Sequence, residues 1–378
     1  MDPNDDACEY EDWLMPFIRA VQEEQPSVEQ NKRSFVDLFD ADEVRRKLPS
    51  DGTIEFGESD SDSRAGEARS SSDAILEWEA KLRSILHDAR GPKRQLLIAD
   101  NKLLGRLSAV ESRCPGFELV SNFILRAANL SMTTASPMRL QPLLLVGPPG
   151  VGKTHFVRRL ATALGVPLEF IAGDLLSDRG VITGLSVSWR AARPGRIASA
   201  LLESSFASPL FVLDEVDKVS PINHREEPLA FLHTVLDEGN AQKFTDEYLS
   251  FSMRADHCFW ILTANQTEML PPSILDRLLV IQIKAPDHAA MMRIARNIYK
   301  EANARHSNWF EEEPEDAVIN TLARYNPRKA SKIVEFAFGF AAEEIRKGLT
   351  PKNVTDAVAL IEHGDAPRCI GFLPTQSD

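Results

Sequence analysis

The sequence lacks any long apolar run. No stretch of its 378 residues approaches the roughly 18 to 20 consecutive apolar residues that a helix needs to cross a bilayer. Residues 1–6 are acidic, and they lack the basic and apolar regions of a secretory signal peptide. We therefore expect a cytoplasmic protein with no membrane partner.

Cysteine is also scarce. The sequence has four cysteines, which are scattered and form no CxxC pair: Cys8, Cys114, Cys258 and Cys369. Neither a zinc site nor a disulfide framework is expected from such spacing, and the thiols are expected to be reduced.

A general excess of positive charge is missing as well. The net charge is -13, and residues 1–72 alone contain 19 acidic and 8 basic side chains. The remaining residues are nearly neutral, so they offer no overall electrostatic reason to bind nucleic acid. Nucleic acid is therefore a disfavoured partner, and binding it would require a local basic channel.

The acidity belongs to an N-terminal arm, residues 1–72, which we expect to be largely disordered because polar and acidic residues dominate it. Two apolar islands, residues 13–18 and 35–39, interrupt it. They are either short docking peptides or segments that pack against the body. A helical region, residues 73–136, follows, and its periodicity predicts helices that include residues 93–110 and 117–129.

The chemistry begins after an apolar run at residues 143–146, which is typical of a buried strand. The run leads into a complete GxxxxGK[ST] phosphate loop, in which the glycines let backbone N–H groups face phosphate oxygens. We expect Lys153 to reach the β and γ phosphates and Thr154 to bind Mg²⁺, with ATP as the nucleotide. The predicted nucleotide-binding residues of the loop are Gly147, Pro148, Pro149, Gly150, Val151, Gly152, Lys153 and Thr154.

Two further apolar runs end in polar side chains. Residues 210–213 lead to Asp214 and Glu215, and residues 259–264 lead to Asn265. Ligands gather at the carboxyl edge of a parallel sheet. We expect Asp214 to help hold Mg²⁺, Glu215 to act as general base toward the attacking water, and Asn265 to orient that water.

These motifs, together with residues 271–283, resemble the AAA+ family of ring ATPases and, within it, the ATPase module of Lon proteases. The resemblance runs from about residue 140 to 345 and rests on GPPGVGKT, FVLDEVDK, TAN and LDRLLVI in the same order. It implies an α/β P-loop NTPase domain at residues 137–286, with a parallel sheet flanked by helices. A small helical lid and tail are expected at residues 287–378.

The resemblance also assigns catalytic positions. By it, Asn265 is the sensor-1 residue, Arg277 is the arginine finger that completes a neighbouring subunit's site, and Arg328 is the sensor-2 residue. A finger that acts in trans implies a homo-oligomeric ring, most simply a hexamer. The alternatives are a surface ion pair for Arg277 and an exposed helical arginine for Arg328.

Residues 184–197 are similar to the Lon stretch that carries the first pore loop. The similarity implies that Trp189, followed by Arg190, faces a central pore and grips an extended polypeptide. A rigid amphipathic ring can contact any peptide without reading its sequence. The alternative is a tryptophan packed in the core.

Taken together, these features predict an ATP-driven motor that remodels, unfolds or threads a protein recruited by the N-terminal arm. Lon continues into a peptidase domain, whereas this sequence ends at Asp378, so no protease activity is expected. Two other functions stay open: a nucleic-acid-associated AAA+ ATPase, for which Arg190, Arg193 and Arg196 are a possible basic lining, and a nucleotide-dependent structural switch.

Overall fold

The described part of the chain forms two compact units. The computed structural model describes residues 34–49, 71–173, 176, 180–189, 191–219 and 228–364. The first unit, the α/β unit, holds the described residues up to Glu111 with Leu119–Gly147 and Thr154–Gln282. The second, the lid unit, holds Ser112–Glu118, Pro148–Lys153 and the described residues from Ile283 onward.

Short strands and helices alternate along most of the chain. The strands are β1 (Phe35–Asp37), β2 (Lys93–Gln95), β3 (Leu143–Val146), β4 (Leu168–Ala172), β5 (Leu210–Asp214), β6 (Phe244–Thr245), β7 (Ser252–Met253), β8 (Phe259–Ala264) and β9 (Leu279–Gln282). The helices up to the sheet's last strand are α1 (Ala41–Lys47), α2 (Ser71–Leu86), α3 (Asn101–Arg113), α4 (Glu118–Thr134), α5 (Lys153–Leu164), α6 (Gly180–Thr183), α7 (Arg196–Glu203), α8 (Leu232–Val235), α9 (Glu238–Ala241) and α10 (Pro272–Leu275).

A five-stranded parallel sheet in the order β4-β5-β8-β3-β9 forms the centre of the α/β unit. Strands β3 and β8 are buried along their whole length, because helices cover both faces of such a sheet. On one face Trp260 of β8 stacks on Phe211 of β5, with ring centroids 4.6 Å apart. This architecture confirms the predicted α/β class, and it brings the carboxyl ends of β3, β5 and β8 to one edge.

Residues 34–49 are part of the α/β unit, although they lie inside the range predicted to be a largely disordered arm. Strand β1 pairs antiparallel with β2, and Leu38, Phe39 and Val44 are buried in the main core. The structure agrees with the second interpretation of the island at residues 35–39, in which it packs against the body. The other island, residues 13–18, lies outside the described residues.

The segment before α3 is extended instead of helical. Helix α3 begins at Asn101, where the Asp100 carboxylate accepts a hydrogen bond from the Leu103 amide, and residues 93–95 form β2. The cause is Arg94, which is 1% exposed and donates to the carbonyl oxygens of Leu201 and Leu202 at the end of α7. The predicted helix over residues 93–110 was therefore wrong in its first two turns.

The lid unit contains helices α11 (His288–Arg305), α12 (Asp316–Leu322), α13 (Pro327–Glu343) and α14 (Pro351–Gly364). They surround an apolar core in which Phe310 stacks on Phe338, with ring centroids 4.0 Å apart, and Tyr299 packs at 5.2 Å from Phe338. Asn303 is buried, and its side-chain amide bonds both the N–H and the C=O of Phe310. The unit is thus a small helical bundle with a core of its own.

The described residues contain neither a membrane-spanning helix nor a metal-binding cluster. No helix within the described ranges is both long enough and apolar enough to cross a bilayer. In the same part of the chain, no group of three or more His, Cys, Asp or Glu side chains is arranged to hold a metal ion. Cys114 and Cys258 are buried thiols, and burial raises the pKa of the Cys258 thiol well above its usual range.

Candidate nucleotide site and exposed loop

The phosphate loop connects β3 to α5, as its sequence requires. Gly150 and Gly152 have φ angles of +82° and +102°, a left-handed region that side chains with a Cβ rarely occupy. Lys153 begins α5, is 7% exposed, and donates from Nζ to the carbonyl oxygen of Pro148 at 3.2 Å. Positive φ angles at these glycines are compatible with a loop whose amide N–H groups cradle a phosphate.

Thr154 and Asp214 meet beside this loop. The Thr154 hydroxyl donates to both carboxylate oxygens of Asp214, each at 3.0 Å. Asp214 is at the end of β5, and Thr263 of the neighbouring strand β8 donates to its Oδ1 at 2.6 Å. A hydroxyl and a carboxylate in contact are oxygen ligands of the kind that Mg²⁺ prefers, so the residues fit this ion.

Glu215 is held in an unusual backbone conformation. Its φ and ψ are 56° and 50°, and its amide donates to the Thr263 hydroxyl at 2.9 Å. The carboxylate accepts from Lys218 Nζ at 2.7 Å, and both side chains are partly exposed. Gly173, after β4, allows this arrangement, because a Cβ there would lie 2.4 Å from the Glu215 carbonyl oxygen.

Asn265 follows β8 on the same edge of the sheet. Its amide donates to Asp217 Oδ2 at 3.1 Å, which fixes the chain just after Thr263. Of the residues of the TAN motif, only Asn265 was expected to have a role. The structure shows that Thr263 links Asp214 to the backbone of Glu215, and the signal for it was a hydroxyl residue at the end of a buried strand.

The structure places the two predicted arginines in different units. Arg277 lies just after α10 in the α/β unit and donates to the Ser273 carbonyl oxygen. Arg328 is exposed in the first turn of α13 in the lid unit. The N-cap of α13, Asn326, borders the phosphate loop within that unit, since a Cβ at Gly150 would lie 3.6 Å from Asn326 Cγ. The N-terminus of α13, which is the positive end of the helix dipole, therefore lies next to the phosphate loop.

Trp189 lies on a hydrogen-bonded loop, residues 184–195, which we call the Trp189 loop. Leu185 and Arg193 form an antiparallel bridge at its base, and the Ala192 amide donates to the Trp189 carbonyl oxygen at 3.1 Å. The Trp189 side chain is 67% exposed, so it is not a core tryptophan. Arg190 lies outside the described residues.

Comparison with known proteins agrees with this geometry. Residues 143–285 match the family described as ATPase family associated with various cellular activities (AAA). Lon protease of Dictyoglomus thermophilum is 29% identical over 239 residues, covering 62% of this chain and 30% of that protein. The peroxisomal Lon protease homolog 2 of Xenopus laevis is 34% identical over 186 residues, covering 48% and 22%.

Among solved structures, a mutant of Thermotoga maritima RuvB superposes with a TM-score of 0.47 at 15% identity, over 65% of this chain and 70% of that one. The chain spans a third or less of the length of the curated Lon relatives that it matches. Fold, motifs and family match together define residues 143–285 as a nucleotide-binding AAA+ ATPase domain that resembles the ATPase module of Lon proteases.

Proposed function

We propose that this protein is an ATP-driven motor that grips and pulls a polypeptide chain. The observation that carries the proposal is the exposed Trp189, presented on a hydrogen-bonded loop of the unit that also holds Asp214 and Glu215. A large aromatic side chain that is held out into solvent offers much contact area to any peptide at a low cost in conformational entropy.

The proposed motor hydrolyses ATP with Mg²⁺. We assign the ion to Thr154 and Asp214, whose oxygen atoms are already in contact, and the phosphates to Lys153 and the loop amides. When bound, the ion neutralises charge on the β and γ phosphates. Glu215 takes the proton of the attacking water, which requires its carboxylate to leave Lys218, and Asn265 orients that water.

We further propose that the subunits form a homo-hexameric ring. Arg277 then supplies positive charge to the phosphate of the adjacent subunit, an effect worth about 10³ to 10⁵ in rate in characterised systems. Arg328, in the first turn of α13, contacts the γ-phosphate of its own subunit. The position of the α13 N-cap beside Gly150 supports this second assignment.

A nucleic-acid motor is less well supported. Its basic lining would consist of Arg190, Arg193 and Arg196, but Arg196 is paired with Glu169 at 2.8 Å. Arg193 is exposed and remains available in the described part of the loop. Within the described part of this lining, one arginine is therefore paired and one is exposed, whereas strongly salt-dependent DNA binding neutralises several phosphates.

The test compares Trp189→Ala with Met269→Ala, a control that removes an apolar side chain of similar exposure, 65%, from the same unit. The probe is a fluorescein-labelled, chemically unfolded polypeptide, and binding is measured by anisotropy with a slowly hydrolysed ATP analogue. We expect Trp189→Ala to weaken binding about tenfold, the cost of one aromatic anchor. The control should bind normally.

The same assay with a DNA oligonucleotide separates the two motors. If Trp189→Ala binds the polypeptide as the unchanged protein does, the proposed grip is wrong. Tight, salt-dependent binding of DNA in place of the polypeptide would favour the nucleic-acid motor instead.

A further inference from the structure

The base of the Trp189 loop is held by one buried carboxylate. Asp246, just after β6, is 0% exposed, and its Oδ2 accepts a hydrogen bond from the Gly195 amide at 2.8 Å. At the other end of the loop, Gly184 has a φ of +88°, and a Cβ there would lie 2.6 Å from Asp246 Oδ1. Both ends of the loop therefore converge on this side chain.

Asp246 also organises the segment that carries it. Its Oδ1 accepts from the amides of Tyr248 and Leu249, each at 3.0 Å, so within the described residues Asp246 accepts from three backbone N–H groups. Burial raises the pKa of this carboxyl, and the backbone hydrogen bonds oppose the shift. Next to it, the Glu247 amide donates to the Thr183 carbonyl oxygen at 2.8 Å. An asparagine side chain could not replace Asp246 here, because its single oxygen accepts at most two of the three hydrogen bonds.

The same segment, residues 244–253, is attached to the N-terminal part of the α/β unit. Phe39 and Met253 form an antiparallel bridge, and the Arg254 amide donates to the Leu38 carbonyl oxygen at 2.7 Å. Trp78 of α2 donates from Nε1 to the Tyr248 carbonyl oxygen at 2.8 Å. This attachment ties the segment that carries Asp246 to residues outside the Trp189 loop.

We propose that Asp246 is a positioning residue for substrate grip: it holds the Trp189 loop in the orientation that presents Trp189 to a polypeptide. The proposal rests on the proposed function and deepens it. Its structural part, that Asp246 orders the loop, is independent of what Trp189 contacts. The two parts can therefore be tested separately in the full chain.

The structural part is tested by amide hydrogen exchange in Asp246→Asn and Asp246→Ala, with Glu247→Gln as the control at the adjacent exposed carboxylate. An asparagine keeps the size of the side chain but turns an NH₂ group toward one of the three donors. We expect exchange of the Leu185 and Gly195 amides to become at least about tenfold faster, the loss of one hydrogen bond to a charged acceptor. Amides of α5 and α13 should not change.

The functional part is tested by the polypeptide-binding assay and by ATP hydrolysis in the same variants. A positioning role predicts that polypeptide affinity falls about as far as in Trp189→Ala, while the KM for ATP stays within twofold. A residue needed only for folding would instead lower ATP affinity, polypeptide affinity and thermal stability together. The KM for ATP therefore separates the two roles.

The outcomes separate the ordering of the loop by Asp246 from the grip of a polypeptide by Trp189. Unchanged exchange at residues 184–195 in a folded Asp246→Asn protein would overturn the proposal. Faster exchange with unchanged polypeptide binding, in a protein where Trp189→Ala does weaken binding, would also overturn it, because loop order would then not matter for grip. Faster exchange where Trp189→Ala has no effect would instead refute the proposed function and leave Asp246 as the residue that orders the loop.

Discussion

The nucleotide site and the Trp189 loop are held in place by different kinds of contact. At the nucleotide site, Thr154, Asp214 and Thr263 come together because parallel strands deliver their carboxyl ends to one edge of the sheet. The Trp189 loop is instead fixed through Asp246, about 50 residues away in sequence, on a hairpin outside the central sheet. Neighbouring strands of one sheet position the first region, whereas we propose that the second depends mainly on one buried carboxylate outside that sheet.

This difference predicts that chemistry and grip can be removed one at a time. The largest effect is expected for Glu215→Gln, because an amide cannot accept a proton from water yet keeps the size of the side chain. We expect hydrolysis to fall about 10² to 10⁴-fold, the usual contribution of a general base, with ATP binding retained. Steady-state hydrolysis and nucleotide binding by fluorescence measure the two quantities.

Loss of hydrolysis in Glu215→Gln should leave the Trp189 loop unchanged. Hydrogen exchange in the Trp189 loop should be the same in Glu215→Gln and in the unchanged protein, and Glu247→Gln serves as a charge-matched control with normal hydrolysis. Normal turnover in Glu215→Gln would show that another group acts as the base. If the unchanged protein itself turns over very little ATP, a nucleotide-dependent structural switch becomes the better description.

The second prediction concerns the backbone that carries Glu215. Gly173→Ala places a Cβ 2.4 Å from the Glu215 carbonyl oxygen and 2.9 Å from that of Asp214, so the backbone of one strand end must move. We expect the free energy of unfolding to fall by up to about 3 kcal/mol, as for overpacked sites, and hydrolysis to fall with it. Denaturant unfolding and steady-state kinetics are the measurements.

Gly105→Ala is the matched control. Gly105 lies inside helix α3, and a Cβ there would meet nothing within 4 Å. Alanine is the better helix former by about 0.8 to 1.0 kcal/mol, so this variant should be at least as stable as the unchanged protein. Equal behaviour of the two alanine variants would contradict the close packing of β4 against the end of β5.

The nucleotide site was largely predictable from sequence, and the reason is local. The phosphate loop and the carboxylates after β5 follow directly from apolar runs, so strand, turn and ligand appear within a few residues. The helical lid, in contrast, was expected from the resemblance to the Lon ATPase module. Thr263 was missed as a linking residue because its contacts, to Asp214 and Glu215, cross from one strand to the next.

Elements defined by distant contacts could not be predicted. Strand β4 is at the edge of the sheet and is mostly half-buried, and its Glu169 pairs with Arg196, so the sequence shows no continuous apolar run. Strand β2 reads Lys-Arg-Gln, and only the carbonyl oxygens of α7 explain why Arg94 is buried there. Asp246 is followed by a second acidic residue, Glu247, and nothing in the local sequence shows which of the two is buried or that Gly195 is its partner.

The smallest effect on stability is expected when residues 1–33 are removed, because every described residue stays in place. The free energy of unfolding should change by less than about 0.5 kcal/mol, as for surface changes, and ATP hydrolysis should be retained. Removal of residues 1–49 should differ sharply, because it takes away the buried side chains Leu38, Phe39 and Val44. At about 1.5 to 3 kcal/mol for each of the three side chains, the loss is about 5 to 9 kcal/mol.

The two truncations test whether partner recruitment and anchoring of the Trp189 loop belong to different parts of the N-terminal region. If the acidic arm recruits a protein, co-purification of that protein from native cells should be lost in the shorter truncation, with the Trp189 loop as protected from exchange as before. The longer truncation also removes the Leu38 carbonyl that holds Arg254 and should loosen the segment around Asp246. A shorter truncation that already loosens the Trp189 loop would mean that residues 1–33 contribute to its anchoring, and the two roles would not be separable.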